Sequence, residues 1–254
     1  MLPYINVFGK TIPSYGVCML SGVVLALFLA IRRGKRYGVG FDSIVIVATF
    51  AFLFGMLGGK LLYLLVSYPH ERLISQIKAP DFSFLTQSGI VFYGGLIFGI
   101  GGALIGKSIA KTRLSSLEGC IVPFIPLGHA VGRVGCFLAG CCFGIEYSGP
   151  LAVCYPEASV GAPSGISYFP VQLLEAFLDV LIMLLLLYYT RRRRERFDVL
   201  SLYLILYSVM RFVGEFLRGD GIRGIYFGFS TSQLISLGLI AVCLIRFALK
   251  KRKR

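Results

Sequence analysis

Few side chains in this sequence can do polar chemistry, and those that can stand inside apolar surroundings. Arg133 and Arg211 interrupt hydrophobic stretches, Glu175 and Glu215 do the same, and His129 lies one helical turn before Arg133. A guanidinium stays ionised and presents a planar fork that fits phosphate oxygens. Imidazole titrates near neutral pH and is the natural proton acceptor of the group. Arg211 and Glu215 are also spaced i, i+4 and can neutralise each other on one helix face. Arg133 has no acidic residue three or four positions away. Two arginines among apolar residues therefore suggest a phosphate-binding site. His129 is either a base or a histidine that hydrogen-bonds a backbone carbonyl.

The elements that must hold these residues are membrane helices. Of 254 residues, 56% are hydrophobic and only 15% charged, against about 25% charged in a soluble domain. Mean hydropathy is +0.79, which also excludes a disordered chain. Seven segments are long enough to cross roughly 30 Å of hydrocarbon as helices. They run near Tyr15–Ile31, Phe41–Val66, Gly89–Ala110, Leu117–Leu138, Val171–Tyr189, Val199–Leu217 and Thr231–Leu249. The fourth carries Glu118, Pro123, Pro126, His129 and Arg133, which only neighbouring helices or a wet cavity can accommodate. The fold class is thus an all-α polytopic membrane protein forming a single integral domain over residues 1–254. An amphipathic arm is expected near residues 67–88, and a small cap on the outer face near residues 140–170.

The net charge of +14 lies mainly in short runs at one set of loops. Arg32–Arg36, Lys107–Arg113, Arg191–Arg196 and Lys250–Arg254 hold 17 of the 26 basic residues; the opposite connections hold five. The positive-inside rule then places the N-terminus outside and the C-terminus in the cytoplasm. Nucleic acid is not an expected partner, since no base-stacking or groove-entering element accompanies the charge. Met1–Lys10 lacks a basic region ahead of an apolar core, so the first span reads as retained. No internal repeat of the transporter kind is visible.

With that orientation, the polar intramembrane residues gather at one depth. Tyr15 opens the first span, Lys60 lies in the outer half of the second, and Tyr93 with Gly94 and Gly95 lies near the outer end of the third. His129 and Arg133 occupy the outer third of the fourth, Gln172 and Glu175 begin the fifth, Arg211 and Glu215 lie in the sixth, and Gln233 begins the seventh. Intramembrane ionisable groups are functional candidates by default. The pattern implies a polar chamber open to the outer leaflet, at the depth of lipid headgroups.

The run His129-Ala-Val-Gly132-Arg133-Val-Gly135-Cys136-Phe137-Leu-Ala139-Gly140-Cys141-Cys142-Phe-Gly144 resembles the signature of the prolipoprotein diacylglyceryl transferase family, Gly-Arg-x-Gly-Asn-Phe-x-Asn-Gly-Glu-x-x-Gly. It matches at Gly132, Arg133, Gly135, Phe137, Gly140 and Gly144. Tyr15-Gly16, Tyr93-Gly94-Gly95-Leu96, Pro170-x-Gln172-Leu-x-Glu175, Arg211-Phe-Val-Gly-Glu215-Phe-x-Arg218 and Ser232-Gln233 resemble further family segments in the same order. The likeness runs from about Tyr15 to Leu249.

The resemblance implies an enzyme of the bacterial plasma membrane that performs the first step of lipoprotein maturation. It would move an sn-1,2-diacylglyceryl group from phosphatidylglycerol to the lipobox cysteine of a prolipoprotein signal peptide, giving a thioether and glycerol phosphate. Membrane lipids are its surroundings, and no metal or other cofactor is implied. Arg133 would hold the phosphoglycerol head, with Tyr15, Gln172 and Gln233 as further lipid-binding residues. Arg211 would stabilise the leaving phosphate, and Glu215 would orient Arg211.

The chain departs from the family pattern in three ways. The family's histidine before Gly-Gly-Leu is Tyr93 here, a hydrogen-bond donor and a poor base at neutral pH. Thiol deprotonation therefore falls to His129, Tyr93 or another group. Asn, Asn and Glu of the signature become Cys136, Ala139 and Cys141, with Cys142 next and Cys154 in the cap. A disulfide in this cluster, free packing thiols, a metal site and a covalently modified thiol are all open, although Cys141-Cys142 lacks the usual Cys-x-x-Cys zinc spacing. The cap is also small for the family, which leaves room for a different acceptor. A paralogous lipid-modifying transferase, or a non-enzymatic lipid transporter or thiol sensor, are the alternative readings.

Overall fold

The computed structural model describes residues 2–7, 10–66, 91–157, 159–192, 198–219, 225–226 and 228–252. Among the described residues, six helical segments are long and apolar enough to cross a membrane, and Tyr93–Ile109 is a shorter apolar helix. The chain is an all-α polytopic membrane protein, as its hydropathy requires. The expected amphipathic arm, residues 67–88, lies outside the described residues.

Contacts divide the chain into two units, Met1–Arg33 with Glu118–Arg254, and Gly34–Leu117. In the second unit, helices α2 (Phe41–Val66) and α3 (Phe92–Ile109) run antiparallel. Their interface is lined by glycine: a Cβ at Gly94 would meet the Gly58 carbonyl, and one at Gly102 would stand 2.4 Å from the Phe50 carbonyl oxygen. Lipid supplies no hydrophobic force to press helices together, so close backbone packing of this kind must hold the pair.

The first unit opens with a hairpin of β1 (Tyr4–Val7) and β2 (Lys10–Pro13), pairing Tyr4 with Pro13 and Val7 with Lys10. Helix α1 (Ser14–Tyr37) follows. The fourth expected span is not one continuous helix. Helix α4 (Leu114–Ile121) passes through a 3-10 turn at Val122–Phe124 into α5 (Ile125–Ala139). Pro123 and Pro126 each lack an N–H and crowd the preceding turn, which breaks the α-helical ladder there. Helices α6 (Val171–Arg192), α7 (Val199–Gly214) and α8 (Thr231–Arg252) complete the unit. At the basic end of α1, Arg33 donates from Nε to the Gly119 carbonyl at 2.9 Å and from a terminal nitrogen to Thr190 Oγ1 at 2.6 Å. At the start of α7, Asp198 accepts from the Ser201 N–H as an N-cap and pairs with Arg246 at 2.6 Å.

Helix α6 shows how the site is built. Gln172, Glu175 and Asp179 are fully or almost fully buried, whereas Leu173, Phe177, Leu181, Leu184 and Leu185 are exposed. The spacing i, i+3, i+7 keeps the three polar residues on one face. A polar face turned inward with an apolar face outward suits a helix bathed in hydrocarbon.

Between α5 and α6 lies the cap. It contains the short ribbon β3 (Val153–Cys154) and β4 (Ser167–Tyr168), over a core of Tyr155, Ala162 and Tyr168 flanked by Phe143 and Ile166. Gly140 ends α5 with φ 73°, a left-handed C-cap, and its N–H bonds back to Phe137. Only glycine takes that conformation at no steric cost. Gly144 allows a close backbone approach in the cap: a Cβ there would meet the Phe169 carbonyl oxygen and stand 3.0 Å from that of Leu217. The segment after α7 is laced to the cap by Ile145 N–H to the Leu217 carbonyl and Gly219 N–H to the Phe143 carbonyl.

Candidate active site

The site grows from one buried carboxylate. Glu175, on the inward face of α6, receives Arg133 Nε from α5 at 2.8 Å. Arg211, from α7, reaches the other carboxylate oxygen at 3.4 Å. Arg218, in the segment that follows α7, approaches the same oxygen at 3.7 Å. Arg211 also pairs with Glu215 at 2.6 Å and donates to Ser232 Oγ, at the start of α8, at 3.3 Å. Four elements thus converge on one carboxylate. Three guanidinium groups and two carboxylates sum to one positive charge. In a low-dielectric setting this excess favours an anion of single charge, and the fork geometry favours phosphate oxygens.

One turn further along α6, Asp179 receives His129 Nδ1 at 2.6 Å. The imidazole lies edge-on to the Tyr207 ring, with centroids 5.4 Å apart, and Tyr207 in turn packs near Tyr203. His129 is therefore oriented by a carboxylate through its Nδ1.

Two residues expected as lipid ligands have protein partners. Gln172 is wholly buried; its Nε2 donates to the Cys141 carbonyl at 2.8 Å, and its Oε1 accepts from the Tyr155 hydroxyl at 3.2 Å. It ties the first turn of α6 to the end of α5 and to the cap core. Gln233 accepts from the Ser230 N–H at 2.9 Å while Ser230 Oγ accepts from the Gln233 N–H at 3.2 Å. That reciprocal pair is a capping box at the start of α8. Ser230→Ala is expected to lower thermal stability by about 1 kcal/mol, and Gln233→Glu, which keeps the box acceptor but loses the Nε2 donor to the Phe212 carbonyl at 3.4 Å, should lower it as well. A melting curve of each variant in detergent checks this.

A family model described as prolipoprotein diacylglyceryl transferase matches residues 3–249. A Clostridium tetani protein named phosphatidylglycerol–prolipoprotein diacylglyceryl transferase is 35% identical over 253 residues, covering 98% of this chain and 97% of that protein. The Clostridium perfringens protein named phosphatidylglycerol–prolipoprotein diacylglyceryl transferase 2 is 32% identical over 248 residues, covering 98% and 94%. The chain belongs to the prolipoprotein diacylglyceryl transferase family. A Dehalococcoides mccartyi protein bearing the first of these names is 29% identical over 244 residues.

Within this family member, Arg133, Arg211, Glu175 and Glu215 are brought together, with His129 beside them on the same helices. Tyr15 opens α1 in the same unit, and its Cα would lie 3.3 Å from a Cβ at Gly135. Tyr93 is buried in α3 of the other unit, beside the glycines that pack against α2. The Cys136, Cys141 and Cys142 sulfurs all lie within 4.8 Å of one another as free thiols. Cys154 does not join them: it is exposed on β3 and hydrogen-bonds Ser167 Oγ at 3.0 Å. Within this trio the Cys141 thiol donates to the Cys136 carbonyl at 3.7 Å.

Asp179 is not among the motif residues; its signal is the i+4 spacing from Glu175 on the buried face of α6. Ser232 and Arg218 stand in segments that resemble the family's without a role following from that likeness, and the bridge between Gly144 and Arg218 draws the latter's segment over the site.

Proposed function

We propose that this chain transfers a diacylglyceryl group from phosphatidylglycerol to the cysteine thiol of a prolipoprotein. The observation that carries this reading is the convergence of Arg133, Arg211 and Arg218 on Glu175. The lipid phosphodiester has one negative charge, which matches the one-charge excess of that cluster. Arg133 holds the phosphoglycerol head. Arg211, steadied by Glu215 and Ser232, stabilises the charge that grows on the departing phosphate. Gln172 holds the cap in place over these groups, and Tyr15 borders them at the head of α1.

In the reaction, the thiol sulfur forms a bond to the glycerol carbon bearing the phosphate ester, and the carbon–oxygen bond breaks. The electron pair leaves with the phosphate as glycerol phosphate, and the thiol proton is lost. His129, oriented by Asp179, accepts that proton, while Tyr93 remains a hydrogen-bond donor. The orientation set by the basic loops puts the N-terminus outside and the site at the outer leaflet of the bacterial plasma membrane. There the lipobox of an exported signal peptide presents its cysteine. The named relatives do not favour another acceptor, a transporter or a sensor.

The test is purified protein in phosphatidylglycerol vesicles with a lipobox peptide. A diacylglyceryl mass gain on the cysteine peptide and none on its serine counterpart is the expected result; no gain on either overturns the reading. His129→Asn and Asp179→Asn should each change the pH dependence of turnover. An unchanged profile would leave the pair a packing feature.

A further inference from the structure

The three-sulfur cluster has no part in the reaction as described, and its geometry is specific. Cys136 ends the buried face of α5, the left-handed Gly140 reverses the chain, and Cys141 and Cys142 return toward Cys136. Cys142 itself has φ 58°, a conformation that costs a non-glycine residue roughly 1–3 kcal/mol and persists only where its surroundings impose it. Here the Cys141 N–H bonds the Cys136 carbonyl, Gln172 grips the Cys141 carbonyl, and Gly219 grips the Phe143 carbonyl. The backbone is thus pinned on both sides of the strained residue, and three sulfurs face one point.

We propose that Cys136, Cys141 and Cys142 bind a zinc ion through three thiolates, leaving the fourth coordination position for the acceptor cysteine. Zinc–sulfur bonds of about 2.3 Å in tetrahedral array put thiolates about 3.8 Å apart, so sulfurs within 4.8 Å of one another need move by no more than about 1 Å. Three protein ligands plus one open position is the arrangement of catalytic rather than structural zinc. The chain's own disulfide alternative is poorer for the adjacent pair. Neighbouring Cα atoms across a trans peptide are about 3.8 Å apart, shorter than the usual disulfide range of about 4.4–6.8 Å. Cys141 and Cys142 are only half-buried, which leaves the open position reachable.

The role in transfer rests on the function proposed above; the metal site does not. The incoming thiol gives its proton to His129, as proposed above, and binds zinc as a thiolate. Its sulfur then forms the bond to the glycerol carbon as the carbon–oxygen bond breaks, with the electron pair departing on the phosphate. Zinc is released from the neutral thioether product, which is a weaker ligand than a thiolate.

Metal analysis of the full chain, purified without chelators, tests the site. About one zinc per chain is expected, at least tenfold less in Cys136→Ser and Cys142→Ser, and full occupancy in Cys154→Ser. Because the serine variants risk misfolding, wild-type protein stripped and refilled with zinc should show Cys141 and Cys142 protected from alkylation only when refilled. Cobalt in place of zinc should give thiolate charge-transfer absorption that rises with a cysteine lipobox peptide and not with its serine counterpart. Equal traces of zinc in all variants with no protection, or a disulfide within the trio, overturns the metal site. Cobalt absorption indifferent to the cysteine peptide overturns the open position. Zinc bound and responsive, with no lipid transferred, instead overturns the function and leaves the site standing.

Discussion

Replacing Arg133 with alanine is expected to cut diacylglyceryl transfer by about 100-fold or more, with insertion and abundance near normal. The magnitude follows from losing the guanidinium that holds the phosphoglycerol head, a buried charged contact worth about 2–5 kcal/mol. The survival of the fold follows from geometry. Glu175 would still have Arg211 at 3.4 Å and Arg218 at 3.7 Å, so no buried carboxylate is abandoned. Arg211→Ala should lose as much activity but fold less well, because Glu215 would lose its 2.6 Å partner. Glycerol phosphate release, normalised to folded protein, separates the two. Wild-type turnover in Arg133→Ala would remove this arginine from the phosphate clamp.

Glu175→Ala is expected to damage the fold itself. It removes the shared partner of three guanidinium groups, leaving Arg133 and Arg218 to repel each other and Arg211 in a buried setting. Breaking a buried charged cluster from one side costs about 3–5 kcal/mol, enough to remove most of the stability of a domain. The double variant Arg133→Met with Glu175→Leu should recover only part of that loss: it replaces one ion pair by an apolar pair of similar volume, but Arg211 and Arg218 still lose Glu175. It should remain inactive. Size-exclusion after graded heating reads stability without relying on tryptophan, which the chain lacks. A Glu175→Ala protein as heat-stable as wild type would mean that the carboxylate does not organise the site.

Much of the membrane architecture is legible from hydropathy because every span must be apolar and continuous over a fixed thickness. The fourth span shows the limit: hydropathy reads a continuous segment where two prolines divide it into α4, a 3-10 turn and α5. The arginines and glutamates could be picked out because charge inside hydrocarbon is costly and so conspicuous. Their pairing could not be read in the same way. Arg133 has no acidic neighbour on its own helix, and its partner Glu175 lies 42 positions away on another, a tertiary contact without local periodicity. Gln172 and Gln233 show a similar limit: both are polar and buried, and motif order does not reveal that one ties α6 to the cap and the other closes a capping box.

The central claim is that this arginine cluster grips the phosphate of an anionic lipid. Native mass spectrometry of the detergent-solubilised chain, offered phosphatidylglycerol and phosphatidylcholine together, tests it most directly. Selective retention of phosphatidylglycerol by wild type, lost in Arg133→Ala, is the predicted result; equal retention of both lipids, or unchanged phosphatidylglycerol binding in the variant, would contradict it.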